Sequence, residues 1–470
     1  MRIIPLLLLA LFVGCNTLTK KSADLVVTGA TIINPESEKD VVGDIVITDG
    51  KIIEVGPGAS GNYEATKTIE AGGKFVIPGL ADMHSHFGNM IIPGDADDSK
   101  LVLARHLYFG NTTILNLGSH KAWIGAIDGM RDALKKGKLQ GPRLLATGSL
   151  ITMPGSHPVS TIYSPELQKK IAEVISNHGG DGPIDLAPLR GTTLVRNADE
   201  LSKEVARVGK WGADAVKITV ESGPDEFGDD HPQMSPEMIA ASADEAKKFE
   251  IPVLCHISSL DELEACLKNG ATGVVHAVTS EKPLPEDLEL RMIKAGFVVI
   301  PTAAMFDGWK RYAADESLLE QVALKPVLSD QEKKIFGSER MRDQFKSDES
   351  WDKALVILGK HLKKFHEAGG TIVAGTDTGN PYRFAGFALH EEIAFYVKSG
   401  IAPRDALATA TTNAAKLVGQ EDEWGLIKTG LAADLLILDK NPLDNIENTL
   451  LISAVIKAGK EVDRKSLPMR

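Results

Sequence analysis

The stretch Gly79-Leu80-Ala81-Asp82-Met83-His84-Ser85-His86-Phe87 ends an apolar run that begins at Phe75. Side chains of a strand alternate between its two faces, so His84 and His86 are predicted to point to the same side. Ser85 then points to the opposite side. Two imidazoles on one face can bind one metal ion, but a lone His-x-His pair is also common among histidines that only pack or face solvent. The pair therefore indicates a metal site only if other ligands join it.

Further potential ligands follow other short apolar runs. Lys217, His256, His276 and Asp377 each lie at or just past the end of such a run. This repetition favours a metal centre that is built from the ends of several strands.

Residues 79–419 alternate between strand-like and helix-like segments, the pattern of parallel βα units. The predicted strands are 81–86, 112–117, 143–147, 215–220, 253–256, 273–276, 297–302 and 371–377. Eight strands with intervening helices make an α/β fold of the (β/α)₈ TIM-barrel type, in which the chemistry gathers at the C-terminal ends of the strands. The candidate ligands occupy that edge on the first, fourth, fifth, sixth and eighth predicted strands.

The segments on either side of this middle region are β-rich. Residues 24–78 contain short β-type runs, and Asp49-Gly50 between two of them is a strong hairpin signal. Residues 420–470 also contain short β-type runs. We therefore predict one small β-sandwich domain, formed by both ends of the chain, beside a barrel over residues 79–419.

The first residues have the pattern of an export signal. One arginine precedes an apolar run that ends at Gly14-Cys15. A cationic start, an apolar core and a small residue before the cut are typical of a signal peptide, and the cysteine after Gly14 resembles a bacterial lipobox. We expect a signal peptide over residues 1–15, lipidation of Cys15, a tether over residues 16–23 and a membrane-anchored lipoprotein in the cell envelope, in the periplasm or at the cell surface. The alternative is a signal peptide that is cut elsewhere.

Composition limits the remaining classes. The net charge is −12 and the chain has 43% hydrophobic residues, which is typical of a soluble globular enzyme and argues against a nucleic-acid partner. Past the first residues no apolar run is long enough to span a bilayer. Cys255 and Cys266 are interpreted as two buried thiols rather than as a disulfide.

Two of the predicted connections are unusually long. Residues 150–199 are rich in glycine and proline, and residues 303–367 are mostly charged and helical. Both leave the edge with the candidate ligands, so they are candidate substrate walls or a lid. For the second connection, solvated packing helices are an equal alternative.

Taken together, these motifs resemble the amidohydrolase superfamily, and within it the imidazolonepropionase-like branch that includes metal-dependent dipeptidases of the prolidase type. The matching segments are 78–86, 212–218, 252–256, 274–276, 374–379, 410–415 and 425–435. They follow the family's order over nearly all of the chain. The resemblance implies a barrel with a composite β domain, and a Lys217 that is carboxylated at its side-chain nitrogen (N6-carboxylysine).

An independent argument supports the modification of Lys217. A lysine ammonium has three donors and no lone pair, so it cannot bind a metal. Its carbamate is an anionic group with two oxygens that can bridge two cations. The alternative is an ammonium paired with a carboxylate at the barrel mouth, and we favour the carbamate because a bare cation among metal ligands is electrostatically unfavourable.

The resemblance also implies the roles of the ligands. Two divalent ions are expected, with zinc favoured and iron, manganese or cobalt as alternatives. Such a pair lowers the pKa of a bound water toward neutrality. Asp377 is expected to take the proton of that water and to pass it to the leaving nitrogen. One metal is assigned to His84, His86 and Asp377, the other to His256 and His276, with Lys217 joining the two.

Other positions bear on the substrate. His157 falls where this branch tends to have a substrate-contacting histidine, and a structural role is equally open. Ser258 stands where relatives often have a second histidine, and Glu221-Ser222-Gly223-Pro224 replaces a more glycine-rich segment. Both departures alter the expected pocket, so no relative's substrate transfers directly. Surface or packing roles are expected for His120, His178, His231 and His390.

The sequence thus predicts an exported, lipid-anchored, metal-dependent amidohydrolase that cleaves an amide bond of a dipeptide or cyclic amide. One alternative keeps the enzyme but changes the bond to a lactone, an ester or a phosphotriester, or changes the reaction to deamination, against which Lys217 argues. Another is a non-catalytic surface binding lipoprotein. The expected partner is a small-molecule substrate, with membrane contact only through the lipid, and a homo-oligomer is left open.

Overall fold

The computed structural model describes residues 20–87, 99–118, 124–186, 189, 191–221, 231–278, 284–346 and 349–469. Within these residues the chain has the predicted α/β character. The predicted signal peptide, Cys15 and His120 lie outside the described residues, as do Ser222 to Pro224. No helix in the described ranges combines the length and the apolar composition that crossing a bilayer requires.

Strands are found in both β-rich ends and at intervals between them. In chain order they are β1 (Lys21–Ile32), β2 (Val41–Thr48), β3 (Lys51–Gly56), β4 (Tyr63–Glu70), β5 (Phe75–Pro78), β6 (Leu80–Ser85), β7 (Asn111–Asn116), β8 (Arg143–Ala146), β9 (Leu150–Thr152), β10 (Ile184–Asp185), β11 (Thr192–Leu194), β12 (Val216–Thr219), β13 (Val253–His256), β14 (Gly273–Val275), β15 (Val298–Ile300), β16 (Thr371–Ile372), β17 (Leu435–Leu438), β18 (Ile452–Lys457) and β19 (Lys460–Glu461). Eight of them, β6, β7, β8 and β12 to β16, overlap the eight strands predicted between residues 79 and 419.

Helices occupy most of the connections between the parallel strands. The α-helices are Ser99–Tyr108, Ile124–Lys135, Pro165–Asn177, Ala198–Trp211, Pro236–Lys247, Leu260–Lys268, Glu286–Lys294, Ala303–Ala314, Asp330–Phe336, Glu339–Gln344, Glu349–Glu367, Phe387–Lys398, Pro403–Thr409 and Thr412–Leu417. Short 3₁₀ helices cover Ala59–Asn62, Glu316–Glu320 and Ile446–Leu450. The second long connection is helical, as its sequence predicts.

One sheet contains strands from both ends of the chain, in the order β19-β18-β17-β5-β1-β2-β3, with β4 paired to β1. The contact between the two ends is the antiparallel pairing of β17 with β5, in which Leu436 lies opposite Ile77. Asp49 and Gly50 join β2 to β3 as a two-residue turn, both with positive φ, of 52° and 74°. The predicted hairpin is therefore confirmed.

Strand β1 begins earlier than the sequence predicts. It starts at Lys21, within the predicted tether of residues 16–23, and its first residues pair in parallel with β4 from Tyr63 onward. This pairing satisfies backbone groups of Lys21 to Ala23 that a solvated tether would leave to water.

The remaining strands form two largely parallel sheets, β6-β7-β8 and β10-β11-β9-β12-β13-β14-β15-β16. Backbone hydrogen bonds connect the two sheets at both edges, from Asp214 N to Ala146 O at 2.9 Å and from Met83 N to Ala374 O at 3.0 Å. Strand β9 lies in the long connection after β8 and pairs with β12, an addition that the sequence did not predict. The C-terminal ends of β6, β12, β13 and β14 and the segment after β16 meet at one side of the fold.

The two cysteines in the described residues agree with the prediction. Cys255 in β13 and Cys266 in the helix Leu260–Lys268 are both free and buried. Burial raises the pKa of the Cys255 thiol well above its ordinary value. They therefore act as small apolar side chains in the core between sheet and helix.

A buried ion cluster links the β-rich sheet to the parallel strands. Asp434, next to β17, accepts hydrogen bonds from Lys457 Nζ and Ala458 N, each at 2.8 Å, and lies 3.3 Å from Arg143 of β8. Burial acts to raise the pKa of Asp434, but Lys457 and Arg143 lower it below the ordinary value of 3.8. The ionised carboxylate therefore stabilises the folded state.

We expect Asp434→Asn to lower the free energy of unfolding by about 3–5 kcal/mol at neutral pH, because it removes the charge of a buried carboxylate that pairs with Lys457 and Arg143. The folded-state pKa lies below the unfolded one, so the stabilisation is complete above the unfolded value and is lost as the pH falls through the folded value. In urea unfolding, the difference from the wild type should shrink below pH 3.8. A difference that stays constant with pH would contradict the ionic role. Asp439→Asn, which changes an exposed carboxylate paired with Lys74, is the matched control.

Candidate metal centre

The C-terminal ends of five strands bring all six predicted ligands to one place. Strands β6, β12 and β13 contain His84, Lys217 and His256, respectively. The other three ligands, His86, His276 and Asp377, follow β6, β14 and β16 within a few residues. Parallel strands align their C-terminal ends at one edge of a sheet, which explains why ligands far apart in the sequence converge.

The first group consists of His84, His86 and Asp377. The Nε2 atoms of the two histidines are 3.2 Å apart. Asp377 Oδ1 lies 3.0 Å from His86 Nε2 and 3.3 Å from His84 Nε2. One ligand atom from each of the three residues lies within 4.8 Å of the others, a spacing that could hold one metal ion.

The second group consists of His256 and His276, and it adjoins the first. His256 Nδ1 lies 3.1 Å from His276 Nε2. His276 Nε2 lies 3.9 Å from Asp377 Oδ2, the other oxygen of the same carboxylate. Lys217 Nζ lies 3.0 Å from His84 Nε2. Asp377 is therefore placed beside both histidine groups, and Lys217 contacts the first of them.

Burial favours the neutral form of three imidazoles in this cluster, those of His84, His256 and His276. It lowers the pKa of His84 and His276 well below the ordinary value and that of His256 to about 3. For Asp377, burial acts to raise the pKa, but His84, His86 and His276 lower it well below the ordinary value. Neutral imidazoles beside an ionised carboxylate form a donor set that fits divalent metal ions such as zinc.

Lys217 lies in the same buried environment. Lys217 is part of β12 and its side chain is buried. Burial lowers the pKa of Lys217 to about 8, although Asp377 and Glu221 act to raise it. An amine with this pKa is neutral in a substantial fraction of molecules near neutral pH, and only the neutral amine is a nucleophile. The environment is therefore compatible with carboxylation of Lys217.

Contacts on the outer edges of the imidazole rings orient them. His86 Nδ1 contacts the carbonyl of Gly118, and His276 Nδ1 lies 2.8 Å from Thr302 Oγ1. In both rings Nδ1 makes the outer contact, and Nε2 faces the cluster. Outer contacts of this kind fix the tautomer and the ring orientation of metal-binding histidines.

Three residues near the strand ends adopt left-handed backbone conformations. The φ angles are 67° for His276, 47° for Thr302 and 55° for Asp377. Positive φ is uncommon for residues other than glycine, and such conformations are concentrated at functional sites. Asp377 is held in place by its own N–H, which donates to the carbonyl of His84 at 2.7 Å. The preceding Thr376 donates from its N–H and its hydroxyl to the buried Asp82.

His157 lies beside the second histidine group. Its ring stacks on that of His256 with centroids 4.4 Å apart and an interplanar angle of 24°. His157 Nδ1 lies 2.7 Å from Thr161 Oγ1. The structure thus brings His157 to the edge of the cluster, where a substrate-contacting residue was predicted.

Glu221 also belongs to this site, and sequence reasoning missed its function. Its carboxylate contacts His256 Nε2 and lies 3.8 Å from His157 Nδ1. The signal was present, because Glu221 is a charged residue at the end of the apolar run that contains Lys217. Ser258, by contrast, donates from its N–H and its hydroxyl to the carboxylate of Glu262 in the following helix.

The histidines for which no site role was predicted lie elsewhere. His390 is buried and contacts Thr449 Oγ1 and the carbonyl of Phe109, each at 2.9 Å. This confirms a packing role for His390. His178 and His231 belong to neither of the potential metal-binding groups found among the described residues.

The fold and the donor set define a metal-binding hydrolase of the α/β type. The family model described as "Amidohydrolase family" matches residues 75–462 of this sequence. The chain therefore belongs to the amidohydrolase family, which confirms the resemblance found in the sequence. It is an enzyme that hydrolyses carbon–nitrogen bonds, also as predicted.

Several known proteins are similar to this chain. Ochratoxinase from Aspergillus niger is 26% identical over 420 residues, which cover 82% of this chain and 75% of the relative. The crystal structure of A. niger ochratoxinase superposes with a TM-score of 0.72 and covers 96% of this chain and 99% of that one, at 20% identity. The crystal structure of a Xaa-Pro dipeptidase with methionine in its active site has a TM-score of 0.71 and 23% identity. The match covers 93% of this chain and 99% of that one. The crystal structure of a prolidase complexed with N-methylphosphonate-L-proline has a TM-score of 0.67 and 21% identity. The match covers 93% of this chain and 99% of that one.

Proposed function

We propose that this protein is a metal-dependent amidohydrolase that cleaves the amide bond of a dipeptide or a cyclic amide. The observation that supports this most strongly is the convergence of four imidazoles, one ionised carboxylate and one buried lysine near the ends of parallel strands. Such a cluster of titratable groups with shifted pKa values is typical of an active site.

Two divalent ions, with zinc favoured, are the cofactors of this proposal. One ion would be held by His84, His86 and Asp377. The other would be held by His256 and His276, and a carboxylated Lys217 would contribute to both. When bound, the ions lower the pKa of a water molecule and polarise the carbonyl group of the substrate.

Asp377 moves the proton in the proposed reaction. Its carboxylate oxygens lie 3.0 Å from His86 Nε2 and 3.9 Å from His276 Nε2, so it stands between the two histidine groups. It accepts a proton from the attacking water as the carbon–oxygen bond forms. It then gives this proton to the leaving nitrogen as the carbon–nitrogen bond breaks.

The carbamate on Lys217 forms from the neutral amine and carbon dioxide, with release of one proton. The buried position of Nζ, 3.0 Å from His84 Nε2, supports it, because an ammonium there would face the ligands of a cation. A pKa of about 8 for Lys217 makes the reactive amine accessible near neutral pH.

The substrate class is inferred from the family and from the residues around the metal centre. A dipeptide or a cyclic amide offers one carbonyl for polarisation and one nitrogen that needs a proton. His157, stacked on His256, is the proposed substrate contact. The connections at residues 150–199 and 303–367 are the proposed walls of the pocket. The similarity to a Xaa-Pro dipeptidase and a prolidase supports testing dipeptides first.

The finer architecture is part of the proposal. We infer that the parallel strands close into a (β/α)₈ barrel over residues 79–419 and that residues 24–78 and 420–470 form one β domain. The backbone hydrogen bonds at both edges of the parallel sheets support closure of the barrel. The pairing of β5 with β17 supports a shared domain.

The test of the function is an activity panel on purified protein of measured metal content. The panel includes Xaa-Pro, Xaa-Arg and other dipeptides, cyclic amides, a lactone, an ester, a phosphotriester and adenine. Metal-dependent cleavage of an amide in the panel, with no turnover after chelation, is the expected result. Turnover of adenine alone would favour deamination, and turnover of the lactone, ester or phosphotriester alone would favour the other hydrolytic alternatives. Binding of substrates without turnover would favour a binding lipoprotein.

We also propose that the protein is exported and anchored in the cell envelope through lipidated Cys15. The apolar run that ends at Gly14-Cys15 supports this. Cys15→Ser should move the protein from the membrane fraction to the soluble envelope fraction or block its maturation, as measured by fractionation and immunoblotting. Cys255→Ser, which changes a buried core thiol, should leave the membrane fraction unchanged. Membrane retention and normal processing of Cys15→Ser would contradict the anchor.

A further inference from the structure

We infer that Glu221 is a positioning residue, which fixes the tautomer of His256 that can bind metal. This inference rests on the metal centre proposed above. Glu221 directly follows Val220, at the end of the buried run that contains Lys217, and its side chain is 2% exposed. Its Oε2 atom contacts His256 Nε2. An acidic side chain this deeply buried beside a ring of the centre requires a favourable interaction to offset its lost hydration.

The two nitrogens of His256 face different surroundings. Nδ1 lies 3.1 Å from His276 Nε2 and is directed toward the other ligands. Nε2 lies in contact with the carboxylate of Glu221. A neutral imidazole has one N–H and one lone pair, and an ionised carboxylate only accepts hydrogen bonds. Glu221 therefore stabilises the tautomer with its proton on Nε2, which leaves the lone pair of Nδ1 for a metal.

This orientation is the reverse of the one seen in two other rings of the site. His86 and His276 direct Nε2 toward the cluster, and their Nδ1 atoms contact Gly118 O and Thr302 Oγ1. The group against His256 Nε2 is a carboxylate, whereas the other two outer contacts are a carbonyl and a hydroxyl, and a carboxylate at this position increases the basicity of the ligand.

His157 completes the enclosure of the His256 ring. It stacks on the face of that ring at 4.4 Å, and its Nδ1 lies 3.8 Å from the same Glu221 oxygen. The competing assignment is a separate cation held by His157, Glu221 and His256, whose ligand atoms also lie within 4.8 Å of one another. That arrangement would require the lone pair on His256 Nε2 and the proton on Nδ1, directed at His276. The two assignments therefore require opposite tautomers of His256, and the number of ions bound separates them.

The test compares zinc binding by the wild type, Glu221→Ala and Glu221→Gln against a competing chelator. The wild type should hold two zinc ions per chain. Glu221→Ala should bind one of them about 10–100-fold more weakly, as loss of an outer partner typically causes, while the other ion is unaffected. Glu221→Gln should lose less affinity, because its amide oxygen can still accept the Nε2 proton but has no charge. The visible spectrum of the cobalt-substituted Glu221→Ala should differ from that of the wild type.

Glu204→Gln is the matched control. Glu204 is also buried, but it accepts hydrogen bonds from Arg207 and Ser149 away from the ligands. It should bind both ions with wild-type affinity. The melting temperature of each metal-free variant separates an effect on metal binding from a loss of folding.

Three results would overturn the inference. Wild-type zinc affinity and an unchanged cobalt spectrum in Glu221→Ala would show that the contact has no positioning role. A third ion in the wild type that Glu221→Ala loses would establish the separate cation site. Equal losses in Glu221→Gln and Glu221→Ala would indicate that Glu221 binds metal directly. A wild-type protein that binds no metal would instead overturn the proposed centre itself, which keeps the two failures distinct.

Discussion

Asp377→Asn should retain most of the bound metal and lose turnover by about 10²–10⁴-fold, the usual contribution of general acid–base catalysis. The asparagine side chain keeps an oxygen near His84 and His86, where Asp377 Oδ1 lies 3.3 and 3.0 Å from the Nε2 atoms. Its amide cannot accept a proton from water and deliver it to the leaving nitrogen. The fall should therefore affect kcat and kcat/KM together, with KM little changed. Steady-state kinetics and metal analysis on the same sample measure both effects.

Asp434→Asn provides the matched control for this change. Asp434 is a buried aspartate in the β-rich sheet and should affect stability, so the control is assayed well below its melting temperature. Its turnover should equal that of the wild type. Wild-type hydrolysis by Asp377→Asn would show that Asp377 is not the proton carrier. Complete loss of metal from Asp377→Asn would indicate that its role is in binding rather than in proton transfer.

The second large effect is expected from Lys217→Ala. This change removes the group that we propose to bridge the two ions, so metal content should fall below two ions per chain and turnover should fall with it. Short carboxylic acids such as acetate or propionate should restore part of both. They fit the space of the lost side chain and supply two oxygens in place of the carbamate. Metal analysis and activity, each measured as a function of added acid, test this prediction.

The control for Lys217→Ala is Lys210→Ala, which removes an exposed lysine at the end of the preceding helix. It should retain metal and turnover, and it should not respond to added acid. If the wild type binds a single ion and Lys217→Ala is fully active, the centre is mononuclear and the deaminase alternative gains support. If acid restores nothing while the variant remains folded, a role of Lys217 other than carboxylation would be indicated.

Much of the site could be predicted from the sequence because functional residues of parallel βα units gather at the C-terminal ends of the strands. Each of the six predicted ligands lies in or just past an apolar run, and parallel strands bring such runs together at one edge. The prediction required only that those runs be strands of one parallel sheet system. It did not require knowledge of any contact between them. His84 and His86 converge because the side-chain period of a strand is two.

Other features depend on contacts that no local pattern encodes. The left-handed conformations of His276, Thr302 and Asp377 arise at strand ends that are held by neighbouring segments, and the β-branched Thr302 in particular disfavours positive φ by itself. The pairing of β1 with β4 from Lys21 onward is a similar case, because its partner lies some forty residues away. Glu221 stands in a segment that departs from the family pattern, and its contact with His256 is visible only in the structure.

The most direct test of the central claim is a titration of metal-free protein with zinc. Hydrolysis of a dipeptide that the enzyme cleaves in the activity panel is followed during the titration. Metal-free protein should have no turnover. Activity should rise with added zinc and reach its plateau at two equivalents per chain, because both histidine groups and Lys217 contribute to the proposed centre. Full turnover without metal, or a plateau at one equivalent, would contradict the two-metal hydrolase proposed for this protein.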